Sequence, residues 1–144
     1  MVEPLRILVL CTGNSCRSQM AEALLARAGG PAVEVHSAGT HPSAVNPLAV
    51  AALAEIGIDW SHARSSAMTV YFGQPFDVVV TVCDEAWEAC PVFPGARRQI
   101  HVGYDDPALA GGTREERLAV FRRVRDEIAA WAPGFLAEAL SERT

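Results

Sequence analysis

Asp77-Val78-Val79-Val80-Thr81-Val82 places four valines in six positions. β-Branched side chains favour extended backbone. A run without polar alternation has no face to offer water, so it belongs inside a parallel sheet covered on both sides. Leu5 to Leu10 has the same character and reads as a second buried strand. Ala32 to Ser37 alternates as a shorter strand, and Gln99 to Val102 is a last one. Helical patterns fill the intervals. Met20 to Leu25 runs on to a stop at Gly29-Gly30-Pro31. Asn46 and Pro47 open a helix, as cap and first residue, with Leu48, Ala52, Leu53 and Ile56 on one face until Gly57. Ala67 to Phe76 is expected to hold one helical turn. Thr113 and Glu116 form a capping box before Leu118, Phe121, Val124, Ile128 and Trp131 at helical spacing. Pro133-Gly134 is expected to break or kink that helix, with Phe135 to Leu140 continuing it. Arg114, Arg117, Arg122, Arg123 and Arg125 are expected to form a solvated face balanced by neighbouring Glu and Asp. This alternation predicts an α/β fold, an open parallel four-stranded sheet with helices on both faces, as one domain over residues 1–144.

The formal charge of −5 removes any basic surface for nucleic acid or an anionic membrane. No stretch reaches the length of a membrane span and no signal-peptide pattern opens the chain, so a cytoplasmic, monomeric protein is expected. Four cysteines without a zinc spacing, Cys11-x4-Cys16 and Cys83-x6-Cys90, with four scattered histidines, predict no metal site.

The first strand runs straight into Cys11-Thr12-Gly13-Asn14-Ser15-Cys16-Arg17-Ser18, and a helix follows. In a strand–loop–helix turn of this kind, backbone N–H groups and the helix N-terminus converge on an anion. The same field favours the thiolate of a Cys at the loop's first position. Arg17 offers a planar two-toothed donor to a tetrahedral oxyanion, and Ser18 a hydrogen bond to the sulfur. Thr12, Gly13, Asn14, Ser15, Cys16 and Arg17 are therefore the expected substrate cradle, with Cys11 as nucleophile. An oxygen expelled by that attack needs a proton. Asp106, stiffened by Pro107, is the candidate general acid, with an ordinary Asp-Pro turn as the alternative, and Asp105 reads as a turn residue. In open parallel sheets ligands sit beyond the carboxyl ends of strands. Cys11, Cys83 and the two aspartates all fall there.

These residues, with the Cys-x5-Arg-Ser loop directly after the first strand, resemble the low-molecular-weight tyrosine phosphatase fold. The run from Cys11 to Glu22 looks most like its thioredoxin-coupled arsenate reductase branch, as do Gly103 to Pro107 and Phe121 to Ile128. Residue by residue, the resemblance implies that Cys11 attacks arsenate, for which phosphate is an analogue. Cys83 then attacks the adduct and arsenite leaves. Cys90 takes over the disulfide and hands it to thioredoxin, the implied reductant. An eight-residue helix across the Cys83–Cys90 pair would separate their α-carbons by about 10 Å, against the roughly 7 Å that a disulfide spans, so the segment must unwind. The bland alternative is two small buried hydrophobes. A phosphatase for phosphotyrosine or small phosphate esters would share Cys11, Arg17 and Asp106 but needs neither Cys83 nor Cys90. Cys16 is read as non-shuttling. In some arsenate reductases the positions of Asn14, Glu22 and Ser37 join a Thr and an Asp in binding potassium. Here Arg64 and Ser66 stand in the latter places, which makes a potassium site doubtful. No bound cofactor is expected.

Overall fold

A computed structural model describes residues 3–82 and 93–142. Cys83 and Cys90 lie outside the described residues. Four parallel strands, β1 (Leu5–Cys11), β2 (Val33–Gly39), β3 (Val78–Thr81) and β4 (Gln99–His101), form one sheet in the order β2-β1-β3-β4. The two apolar runs are the central pair. Ile7 sits opposite Val78 and Leu10 opposite Thr81. Because successive side chains alternate across a sheet, both faces of this pair must be buried, and both are. Ile7, Val9, Val78 and Val80 enter the larger core. Leu8, Leu10 and Val79 enter a smaller one with Phe76 and Phe93.

The α-helices of the described residues are α1 (Arg17–Gly29), α2 (Pro47–Ala54) and α3 (Arg114–Glu142). All three share the larger core, through Met20, Leu24 and Leu25 of α1, Leu48 and Leu53 of α2, and Phe121, Val124 and Ile128 of α3. The opposite face carries a 3₁₀ turn at Met68–Tyr71, the one helical turn read in that stretch. Asn46 caps α2 by accepting the amide of Leu48 at 2.9 Å. Thr113 and Glu116 make the reciprocal box at 3.1 Å each way. No described helix is long and apolar enough to cross a membrane.

Two local expectations differ from the structure. α3 continues through Pro133 as one element of 29 residues. Proline removes one amide bond, but Ala132, Phe135 and Leu136 on either side are buried in the core, and that packing holds the helix together. The arginines of α3 are also more than a solvated face. Arg125 is buried and donates to Ala52 O at 2.9 Å and to Glu55 at 2.9 Å. Arg122 closes on the same carboxylate at 2.7 Å.

Candidate active site

Cys11 ends β1 opposite Gly39, and the chain then folds back over the sheet edge as a tight loop into α1. The carbonyls of this loop are tied outward one by one. Cys11 O accepts from Thr40 N at 3.3 Å, and Thr12 O from His41 N at 2.9 Å. Gly13 O accepts from Ser43 N and Ser15 O from Asn46 N, each at 2.9 Å. A trans peptide points its N–H opposite to its carbonyl, so outward carbonyls leave the loop amides turned inward. Asn14 N lies 3.2 Å from Cys11 Sγ, an amide donor aimed at the sulfur. That turn needs φ of +48° at Asn14, a left-handed conformation that asparagine tolerates better than most residues. The close approach of the loop to β2 also requires a glycine at position 39. A Cβ there would stand 2.4 Å from Thr12 O and 3.0 Å from Asn14 N.

The inward surface encloses a cavity of about 220 Å³ lined by Cys11, Thr12, Gly13, Ser15, Cys16, Arg17 and Asp106. Arg17, in the first turn of α1, places Nη2 3.3 Å from Asp106 Oδ2 and donates through Nη1 to Tyr104 O at 3.2 Å. The guanidinium is thus held at the cavity by two groups from the loop after β4. Asp106 caps the 3₁₀ turn Pro107–Leu109, accepting from Ala108 N at 3.0 Å, and presents its carboxylate at the cavity rim. Asp105 points away to Arg123 at 3.1 Å. Burial pushes the Cys16 thiol up, with the Asp106 carboxylate adding to the effect, so Cys16 stays protonated in the cavity wall.

Behind that wall lies a layer of buried polar groups. Ser18 Oγ is 2.8 Å from Cys11 Sγ. Asn14 Nδ2 donates to Ser18 Oγ at 2.8 Å and to Ser37 Oγ at 2.9 Å, and Ser37 donates to Glu22 at 2.5 Å. Burial raises the Glu22 carboxyl above the ordinary range. Asn14 Oδ1 accepts from Ser66 N at 2.9 Å, while Asn14 O accepts from Gln19 Nε2 at 3.0 Å and Ser65 Oγ at 2.8 Å. A cation needs lone pairs turned into a vacancy. Here both oxygens of Asn14 already face protein donors, and the Ser37 hydroxyl is committed between Asn14 and Glu22. That leaves fewer lone pairs for a cation than the residue types alone suggest. Among the described residues no cluster of three His, Cys, Asp or Glu side chains offers another metal site.

Sequence reasoning reached the cavity-lining residues because loop chemistry is local. It missed Gln19, Ser65 and Trp60, which join the buried layer from a helix face and an irregular stretch. A buried glutamine in the first turns of α1 leaves no periodic or motif signal in one sequence. Cys83 and Cys90, the thiols of the expected relay, lie outside the described residues.

Comparison with known proteins gives a consistent neighbourhood. The pattern of the low molecular weight phosphotyrosine protein phosphatases matches residues 6–144. An arsenate reductase of Halalkalibacterium halodurans is 52% identical over 122 residues, 85% of this chain and 88% of its own. A solved arsenate reductase in its oxidized state superposes with a TM-score of 0.79 at 28% identity, covering 93% of this chain and 98% of that one. The thioredoxin-dependent arsenate reductase Cg_ArsC1' of Corynebacterium glutamicum has a TM-score of 0.72 at 27% identity, covering 99% of this chain and 65% of that one.

Proposed function

The chain belongs to the low molecular weight phosphotyrosine protein phosphatase family, and from that premise we propose that it is a cytosolic arsenate reductase using thioredoxin as its reductant. The observation that carries the oxyanion half of this reading is the cavity itself, and the arsenate reductase relatives support reduction over phosphatase chemistry. A cysteine sulfur is met by an inward amide and a serine hydroxyl, with a guanidinium and a carboxyl at the rim. Its size and donor set suit a tetrahedral oxyanion.

Cys11 Sγ attacks arsenic as the thiolate, and an oxygen leaves as water after taking a proton from Asp106. Arg17 and the loop amides hold the remaining negative oxygens. Cys83 as thiolate then attacks Cys11 Sγ. The sulfur–sulfur bond forms as the sulfur–arsenic bond breaks, and the bonding pair stays on arsenic, which departs as arsenite. Two thiols are oxidised and arsenic is reduced by two electrons. Attack by Cys90 on Cys83 frees Cys11 and leaves a Cys83–Cys90 disulfide for thioredoxin. The cysteine spacing of the sequence supports this relay, and the thioredoxin-dependent Corynebacterium relative supports thioredoxin as reductant.

A single turnover tests it. Reduced, oxygen-free protein meets excess arsenate without a carrier, and arsenite and disulfides are quantified. One arsenite per chain with a Cys83–Cys90 bridge is the expected result. A Cys11–Cys83 bridge alone would remove the role of Cys90. No arsenite and four free thiols would overturn the reductase and leave a phosphatase, which uses the same Cys11, Arg17 and Asp106.

A further inference from the structure

We propose that Gln19 is a positioning residue for anion binding: its side-chain amide holds the Asn14–Ser15 peptide with the carbonyl out and the Ser15 N–H in. The inference rests on the reading of the Cys11–Arg17 loop as an oxyanion site, and on nothing in the thiol relay.

Gln19 is 1% exposed, and its amide is fully committed. Trp60 Nε1 donates to Gln19 Oε1 at 2.8 Å. An indole N–H can only donate, so the Trp60 side must be the oxygen of the amide and the opposite side its NH₂. That NH₂ donates to Asn14 O at 3.0 Å and to Arg64 O at 3.2 Å. Asn14 is the strained position of the loop, with φ of +48°. Every other carbonyl from Cys11 to Ser15 is tied by a backbone amide of residues 40–46. The Asn14 carbonyl is tied instead by side chains, those of Gln19 and Ser65. Neither lines the cavity, so the carbonyl faces away from it and the planar trans peptide sends the Ser15 N–H the other way. Without those two donors, rotation of this one peptide about ψ of Asn14 and φ of Ser15 puts a carbonyl oxygen where an anion must bind. Asn14 N, which belongs to the preceding peptide and meets Cys11 Sγ, is left in place.

The test compares wild type with Gln19→Met, which keeps the volume and removes the hydrogen bonds, and with Ser65→Ala, a smaller change at the second donor. Inorganic phosphate is titrated calorimetrically, the pH profile of Cys11 alkylation by iodoacetamide is followed by peptide mapping, and arsenate turnover is measured. The expected result is phosphate affinity lower by about tenfold in Gln19→Met and by less in Ser65→Ala. KM for arsenate should rise in parallel, with the alkylation profile of Cys11 unchanged. Phosphate affinities within about twofold of wild type in both folded variants would overturn the role of Gln19. So would a loss confined to melting temperature. If wild type itself bound no phosphate, the oxyanion reading would fail first, a separate outcome from either.

Discussion

The hydroxyl of Tyr104 is buried and meets no hydrogen-bonding partner among the described residues. Burial, helped by the nearby Glu127 carboxylate, pushes the phenol up to about 12, so it carries its proton at any physiological pH. An unpaired buried hydroxyl is a desolvation cost with no return. Tyr104→Phe should therefore leave urea-denaturation stability unchanged or raise it by about 1 kcal/mol, and a clear loss would mean that the hydroxyl is paired. Its backbone carbonyl, which holds Arg17, is untouched by this change. Asp106 is a different case, because its carboxyl is the proposed general acid. Asp106→Asn should slow the first thiol step by roughly 100-fold or more, read in single turnovers, while circular dichroism stays unchanged. The proposed roles of Cys11, Arg17 and Asp106 were read from the sequence, since a nucleophile, a fork of donors and an acid on a stiff loop are suggested by residue type and spacing, and the structure brings all three to one cavity. Gln19 and Ser65 were not, because their meaning is only the carbonyl they face.

At the scale of elements, two joints are exposed to test. The crossing of β2 over the anion loop depends on Gly39, whose missing Cβ leaves room for Thr12 O. Gly39→Ala puts a methyl against backbone that cannot yield. It should lower the melting temperature and abolish the stabilisation given by phosphate, measured by differential scanning calorimetry. The second joint is the clamp of α3 on α2. Arg122 first and Arg125 second hold the Glu55 carboxyl down to about 2, from an ordinary value of 4.5. A carboxyl lowered by folding contributes stability that is fully present above pH 4.5 and is lost as pH falls through about 2. Glu55→Gln should thus melt below wild type near neutral pH, with the gap closing on acidification over that window. Since Glu55 is partly exposed, the gap should also shrink in high salt. The helix caps and strand runs were readable beforehand because they are written within a few consecutive residues. Continuation through Pro133 was not, because buried neighbours in space offset what proline removes locally.

For the molecule as a whole, folding and ligand binding are linked through the loop that closes the carboxyl edge of the sheet. A ligand that binds only the folded chain stabilises it by mass action, by about 2.7 kcal/mol at a hundredfold excess over its Kd. Inorganic phosphate should raise the melting temperature accordingly, and Arg17→Ala should remove most of that rise without unfolding the protein. From the sequence alone came the parallel sheet with its buried central pair, and the strand edge at which Cys11, Arg17 and Asp106 meet. Each of these follows from chain-local facts: hydrophobic period, residue type, and distance along the backbone. Only the tertiary structure decided which carbonyls turn out and which amides turn in, which protein groups pair within the buried layer, and that two arginines of the last helix are docking groups. Those outcomes depend on partners tens of residues apart, such as Asn14 with Ser65 and Arg125 with Ala52. A buried polar atom must be paired by whatever the fold brings to it, and a linear sequence does not show which atoms will meet.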